Sequence, residues 1–333
     1  MVGADGRLPL PWFDAALNDL ARAPRGHALL LHGPAGVGQF ELAIVLGQAW
    51  LCEDRPNDSL RPCGRCAGCR LILAHSHPDM LVLLPEAMRD ALGWSTDDGD
   101  EDATEAKKKP SREIKVDAVR SAVAFTQRTA SRAGAKVVVV HPAEAMNGIA
   151  ANTLLKTLEE PPLAVRFIVC TSAPDQLLPT IRSRCQPWRF GVPAVEIALE
   201  WLREQGVRDA AILLAGAGGQ PLTAREWHAG GLDAEGWRAV AVAVRRGDAS
   251  ALIRWPVPRV IEAMLKLVHD SARLGQGATP RFFDASLLTP ACDTAKLAAW
   301  GRELLRLQRQ ADHPWHAGLL IETLVTQGQH ALA

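Results

Sequence analysis

Four cysteines stand close together: Cys52, then Cys63, Cys66 and Cys69 in a Cys-x2-Cys-x2-Cys run. Tight spacing lets three sulfurs of a turn-rich segment converge on one soft cation, and a fourth ligand closes a tetrahedron. Cys52, at the end of a helical pattern, is the expected fourth ligand, with His75 and His77 as rivals. Gly64 and Gly68 are expected to supply the tight turns. Coordination by four cysteines leaves no open position, so the expected cofactor is one structural Zn²⁺ rather than a catalytic one.

A second group of residues is built for phosphate. Leu29-Leu30-Leu31-His32 runs into Gly33-Pro34-Ala35-Gly36-Val37-Gly38-Gln39-Phe40. This is a strand, a glycine-rich turn and a helix start, and Gly33, Gly36 and Gly38 let backbone N–H groups wrap an anion at the helix N-terminus. A working loop ends in Gly-Lys followed by Ser or Thr, because the ammonium neutralises the outer phosphates and the hydroxyl holds Mg²⁺. Gln39 is neutral and Phe40 has no oxygen. The apolar run Val137 to Val140 should end in acids that order Mg²⁺, yet it ends in His141-Pro142, with Glu144 the nearest carboxylate. Glu144 reads as a capping or solvated acid and His141 as a satisfied hydrogen-bonding group. Hydrolysis of ATP is not expected here, and neither is its binding.

These residues need a scaffold, and the apolar pattern provides one. Ala28 to Leu31, Leu81 to Leu84, Val137 to Val140 and Phe167 to Cys170 read as strands, the third an unbroken Val run typical of a parallel sheet buried on both faces. Helical spacing recurs between them, in Phe40 to Leu51, in Val116, Val119 and Val123, and in Ala151 to Leu158 before Pro161-Pro162. The fold class is α/β with a parallel sheet. Residues 95 to 112 are crowded with acids and then lysines and read as a mobile surface loop. After Gly191 the strands vanish and helical patterns take over, in Val195 to Gln205, Trp237 to Arg245, Val260 to Val268 and Leu297 to Leu307, with a Gly/Pro linker at 216 to 221. Cys170 and Cys292 read as core. Arg302, Arg306 and Arg309 read as a solvated face opposite Leu304 and Leu307, and the ten tryptophans as packing residues.

Composition bounds the function. With 333 residues the chain has room for two or three domains, and 48% hydrophobic with 22% charged residues is ordinary globular usage. Lys plus Arg equals Asp plus Glu at 37 each, so solitary binding to a phosphate backbone is not advertised. No membrane-length apolar run and no secretory signal pattern appear, which leads to an expected cytoplasmic location.

Two further strings are diagnostic: Asn152-Thr153-Leu154-Leu155-Lys156-Thr157-Leu158-Glu159-Glu160-Pro161-Pro162, and Leu178-Pro179-Thr180-Ile181-Arg182-Ser183-Arg184-Cys185. With the glycine loop and the cysteine cluster, they make the chain resemble the bacterial DNA polymerase III clamp-loader family of the AAA+ class. Its ATP-hydrolysing gamma/tau members keep the loop Lys and the strand-end acids. Departure at Gln39, Phe40, His141 and Pro142 places the resemblance with the non-hydrolysing branch.

The resemblance implies an AAA+ type domain over 1–190 with a zinc module at about 50–72, a helical lid over 191–228 and an all-α collar over 229–333 that joins subunits into a ring. It favours Cys52 as the fourth zinc ligand. It implies gamma/tau and delta subunits as partners, the sliding clamp and primed DNA as what the complex handles, and a place in the polymerase III holoenzyme. It also implies that Arg184 is an arginine finger reaching the γ-phosphate held by a neighbouring subunit, with Cys185 packing beside it and Arg182 the more structural arginine. A guanidinium fork suits that task. Two rival functions, an ATP-hydrolysing gamma/tau-type subunit and a stand-alone zinc-containing nucleic-acid binder, are disfavoured by Gln39 and Phe40 and by the balanced charge respectively.

Overall fold

A computed structural model describes all residues except 23–25, 55–59, 95–109, 133, 291–292 and 311–314. Most of the charged stretch read at 95–112 lies outside the described residues, as does Cys292. The chain divides into two compact units, Met1–Pro193 and Ala194–Ala333.

In the first unit the order is α1 (Phe13–Arg22), β1 (Ala28–His32), α2 (Gln39–Trp50), α3 (Ala67–Leu73), β2 (Met80–Leu83), the single turn α4 (Glu86–Arg89), α5 (Val116–Gln127), β3 (Lys136–Val140), α6 (Gly148–Glu159), β4 (Val165–Thr171), α7 (Pro179–Arg182) and β5 (Gln186–Arg189). The strands form one parallel sheet in the order β2-β3-β4-β1-β5. Val137 through Val140 are wholly buried, as are Leu31, Phe167 and Ile168, because helices cover both faces of a parallel sheet. In such sheets ligand sites form beyond the carboxyl ends of the strands. Here those ends carry the glycine loop after β1, His141 after β3 and Thr171-Ser172 after β4.

The sequence reading did not include β5. Its residues Gln186-Pro187-Trp188-Arg189 lack an apolar run, and as an edge strand paired only with β1 it tolerates Pro187, which has no N–H to give. The four strands that were expected are present, each extended by one to three residues or shifted by one.

Two local devices fix the edges of this unit. Asn147 caps α6 by accepting from the Ala150 N–H at 3.0 Å, and α6 ends before Pro161-Pro162. Asp79 is fully buried; its carboxylate accepts from the backbone N–H groups of Ser131 (2.7 Å) and Arg132 (2.8 Å) and lies 3.8 Å from the Lys136 ammonium. This ties the α5–β3 connection to the strand that begins at Met80.

The second unit is helical throughout its described residues: α8 (Val195–Glu204), α9 (Ala210–Gly216), α10 (Pro221–Ala229), α11 (Ala234–Arg246), α12 (Val257–Gly275), α13 (Thr294–Gln308) and α14 (Ala317–Leu332), with one 3₁₀ turn at Ala285–Leu287. Trp237, at the centre, stacks on Trp227 (4.8 Å and 5.0 Å separate it from Phe283 and Trp227 respectively), and Lys266 sits over the Trp227 ring at 4.8 Å. Buried Asp270 holds the segment beneath them by accepting from the N–H groups of Arg281, Phe282 and Phe283. On α13, Leu297, Trp300, Leu304 and Leu307 are buried, while Arg302 and Arg306 are exposed and Arg306 pairs with Glu303. These arginines form a solvated face, as their spacing indicated. No helix among the described residues is long and apolar enough to cross a membrane.

Candidate functional site

The four cysteines converge. Their sulfurs all lie within 4.8 Å of one another, with Cys52 to Cys66 at 3.9 Å and Cys63 to Cys69 at 4.0 Å. A tetrahedral zinc with Zn–S bonds of about 2.3 Å needs sulfurs about 3.8 Å apart, so the cluster can hold a metal ion of that size. Backbone N–H groups already point at three sulfurs: Cys63 to Cys52 at 3.4 Å, Cys66 to Cys63 at 3.3 Å and Cys69 to Cys66 at 3.3 Å. Such donors stabilise thiolates. Burial works to raise the Cys66 thiol, but hydrogen bonds, led by the Cys69 and Glu53 backbones, overcome it and bring the value down to about 7. Burial pushes Cys52 and Cys69 up. A cluster that gives up one proton readily and resists losing others needs a divalent cation to ionise fully.

The rival ligands stand elsewhere. His77 accepts from the Asp79 N–H through Nδ1 at 3.1 Å, and His75 contacts the Gly93 carbonyl and stacks on Trp94 at 4.2 Å. Gly64 has φ +72°, and a Cβ there would meet the Gly3 carbonyl oxygen at 1.9 Å. Gly68, expected as a second turn glycine, lies inside α3 instead. It is needed because a Cβ would press on the Leu51 carbonyl oxygen at 2.7 Å.

At the glycine loop, the chain's own side chains bond to the loop carbonyls. Gly33 sits so close to the Phe190 carbonyl oxygen that a Cβ would lie 1.8 Å from it, and Gly36 and Gly38 have φ of +67° and +101°. Buried Gln39 turns its amide back on the loop, donating to the carbonyls of Gly33 at 2.8 Å and Pro34 at 2.6 Å. Trp12 donates its indole N–H to the Val37 carbonyl at 2.9 Å. Phe40 is buried and stacks on His141, ring centroids 4.9 Å apart. Burial drives the His141 imidazole down to about 4, so it is neutral near pH 7.

His141, expected to be a satisfied hydrogen-bonding group, donates its backbone N–H to the Leu83 carbonyl at 3.0 Å, but its ring Nδ1 is buried without a partner while the ring stacks on Phe40. Glu144, read as a capping or solvated acid, caps no helix here, and its Oε2 is buried without a partner. The other oxygen accepts from the Ser172 N–H at 3.0 Å and from its hydroxyl at 2.8 Å. That carboxylate secures the turn after β4.

Arg184 follows α7 and is two-thirds covered. Its Nη2 pairs with the Glu159 carboxylate at the end of α6, and its Nη1 donates to the Thr180 carbonyl at 2.9 Å and the Ser183 hydroxyl at 3.3 Å. Arg182, expected to be the more structural arginine, makes a 3.3 Å pair with Asp175, whose side chain is almost wholly exposed. The enclosed arginine is Arg184, because Ile181 and Cys185 on either side are buried and hold its backbone against the core. Cys185 packs there with its thiol pushed up to about 12 by burial. The sequence reading did not single out Glu159 as the partner of Arg184; it stands in the Leu-Glu-Glu-Pro-Pro string, but Arg184 is far along the chain.

Comparison with known proteins gives these sites a lineage. The family described as "DNA polymerase III, delta subunit" matches residues 15–193, more than half of the chain. DNA polymerase III subunit delta prime of Escherichia coli (strain K12) is 32% identical over 286 residues, covering 79% of this chain and 78% of that protein. The delta prime subunit of Pseudomonas aeruginosa is 40% identical over 227 residues, 67% of this chain. The match spans 62% of the Pseudomonas protein and 52% of a Yersinia pestis delta prime subunit. A DNA polymerase III gamma subunit-related protein from Thermotoga maritima aligns over 96% of this chain and 99% of that one, at 17% identity and a TM-score of 0.46. The parallel-sheet unit, its four-cysteine module and its helical second unit thus sit in a chain that belongs to the DNA polymerase III delta prime subunit family.

Proposed function

We propose that this chain is a clamp-loader subunit that hydrolyses no ATP itself and supplies Arg184 in trans to a neighbouring gamma/tau subunit while the complex loads a sliding clamp on primed DNA. The observation that carries the reading is the set of residues at the glycine loop and the end of β3. Gln39 bonds to the carbonyls of Gly33 and Pro34, Phe40 stands where a metal-binding hydroxyl would be needed and stacks on His141, and one oxygen of Glu144 is taken by Ser172. A site arranged this way has no ammonium for the outer phosphates and carries His141-Pro142 where strand-end acids would order Mg²⁺.

Arg184 retains the chemistry that the loop has lost. Its planar fork offers two parallel N–H donors to phosphate oxygens, and its positive charge offsets charge developing on the transferring phosphoryl group. Placing that group on a different subunit makes hydrolysis depend on assembly. The helical lid over 191–228 and the collar over 229–333 are the parts through which the chain would join its gamma/tau and delta partners. One structural Zn²⁺ on Cys52, Cys63, Cys66 and Cys69 would fix the module between α2 and α3, and the protein would work in the cytoplasm with the chromosome.

Mixing the purified chain with gamma/tau and delta subunits tests this. A stoichiometric complex should form, with ATP turnover requiring gamma/tau and no phosphate release from this chain alone. Absence of any complex, or turnover that scales with this chain by itself, would overturn the reading.

A further inference from the structure

The pairing of Arg184 with Glu159 has a consequence that rests on the reading of Arg184 as a trans finger. Both residues hang from rigid points. Leu158, just before Glu159, is fully buried, and Cys185, just after Arg184, is 5% exposed in the same core cluster as Leu154 and Ile181. Their side chains are not sealed in: Glu159 is 45% and Arg184 32% exposed. The guanidinium is therefore held, at its Nη2 by a carboxylate and at its Nη1 by Thr180 and Ser183, in a place where solvent and an approaching subunit can reach it.

An anion arriving at this guanidinium meets a neutralised pair. The carboxylate occupies a donor nitrogen and repels phosphate oxygens brought beside it. The Thr180 and Ser183 bonds come from neutral acceptors on the arginine's own turn, so they orient the group without cancelling its charge. Of the acceptors described on Arg184, Glu159 is the charged one and opposes the phosphate.

We propose that Glu159 is a positioning residue that clasps Arg184 against its own subunit and competes with the neighbour's γ-phosphate for it. Engagement of the finger then requires the ion pair to open. Because exposed pairs are weak, the clasp lowers the engaged population without preventing engagement, by about two- to fivefold. Clamp and DNA, by pressing the subunits together, would favour the open form.

The test uses the full loader reconstituted with Glu159→Gln in this chain, which removes the charge and keeps the size. Hydrolysis without clamp or DNA should rise about two- to fivefold, the range an exposed pair allows, with the KM for ATP lowered and the fully stimulated kcat little changed. Glu159→Asp, which keeps the charge, should return the basal rate toward wild type. Added to Arg184→Ala, Glu159→Gln should have no further effect, and thermal melting of each variant chain checks that it is folded. If Arg184→Ala slows hydrolysis and Glu159→Gln either slows it too or changes nothing, the carboxylate orients or ignores the arginine and the clasp is refuted while the finger stands. If Arg184→Ala leaves hydrolysis at the wild-type rate, the finger reading fails and takes the clasp with it.

Discussion

Phe40 lies on the face of His141, the two ring centroids 4.9 Å apart and their planes inclined by 27°. One residue stands just after the glycine loop and the other just after β3, so the stack joins the start of α2 to the end of β3. Truncating it should be costly. Phe40→Ala is expected to destabilise the chain by about 3–5 kcal/mol, as for other buried Phe truncations, measured by urea unfolding, and not to create ATPase activity.

The same stack makes stability depend on pH. The folded His141 is held down to about 4 by burial, while in the unfolded chain it takes a proton near its ordinary value of about 6.5. The unfolded state thus binds more protons between those values, and stability falls as pH drops through the window, by about 1.4 kcal/mol per pH unit and about 3 kcal/mol in all. His141→Phe keeps the stacking and removes the titration. The difference in unfolding free energy between wild type and this variant should change with pH between 6.5 and 4 and be flat above 7. An unchanged difference throughout would show that the imidazole carries no such load.

The four-cysteine module should carry one Zn²⁺ per chain by atomic absorption after exhaustive dialysis. Cys66→Ser combined with Cys69→Ser should lose the metal and lower the melting temperature, and chelation of the wild type should do the same. Full metal content in the double variant would move the site elsewhere.

Buried Asp79 gives a prediction for the sheet edge. Asp79→Ala would leave the N–H groups of Ser131 and Arg132 and the buried Lys136 ammonium without their carboxylate. Breaking a buried pair in this way costs about 3–5 kcal/mol, so the variant should unfold at markedly lower urea. A loss below about 1 kcal/mol would mean that water replaces the carboxylate.

How much of this was legible follows from how local each signal is. The cysteine spacing, the glycine loop and the Val run each lie within a short segment and appear where they were expected. β5 was hidden because an edge strand needs no continuous apolar run and can contain Pro187. Gly68 looked like a turn residue because its real constraint, the Leu51 carbonyl, comes from another segment. The pairing of Arg184 with Glu159 has the same origin. Two arginines separated by one residue look alike in sequence, and only the packing of α6 beside α7 brings Glu159 to the second of them.

The most direct test of the trans finger is the rate of clamp- and DNA-stimulated ATP hydrolysis and clamp loading by reconstituted loaders carrying wild-type, Arg184→Ala, Arg184→Lys or Arg182→Ala forms of this chain. All four should assemble. Arg184→Ala should slow the site that depends on it by a factor on the order of 10³, with bulk hydrolysis falling less because other sites in the ring still turn over, and with loading suffering most. Arg184→Lys should rescue poorly, since a point charge cannot reproduce the bidentate fork, and Arg182→Ala should stay near wild type. Complexes with Arg184→Ala that assemble and load clamps at the wild-type rate would contradict the assignment.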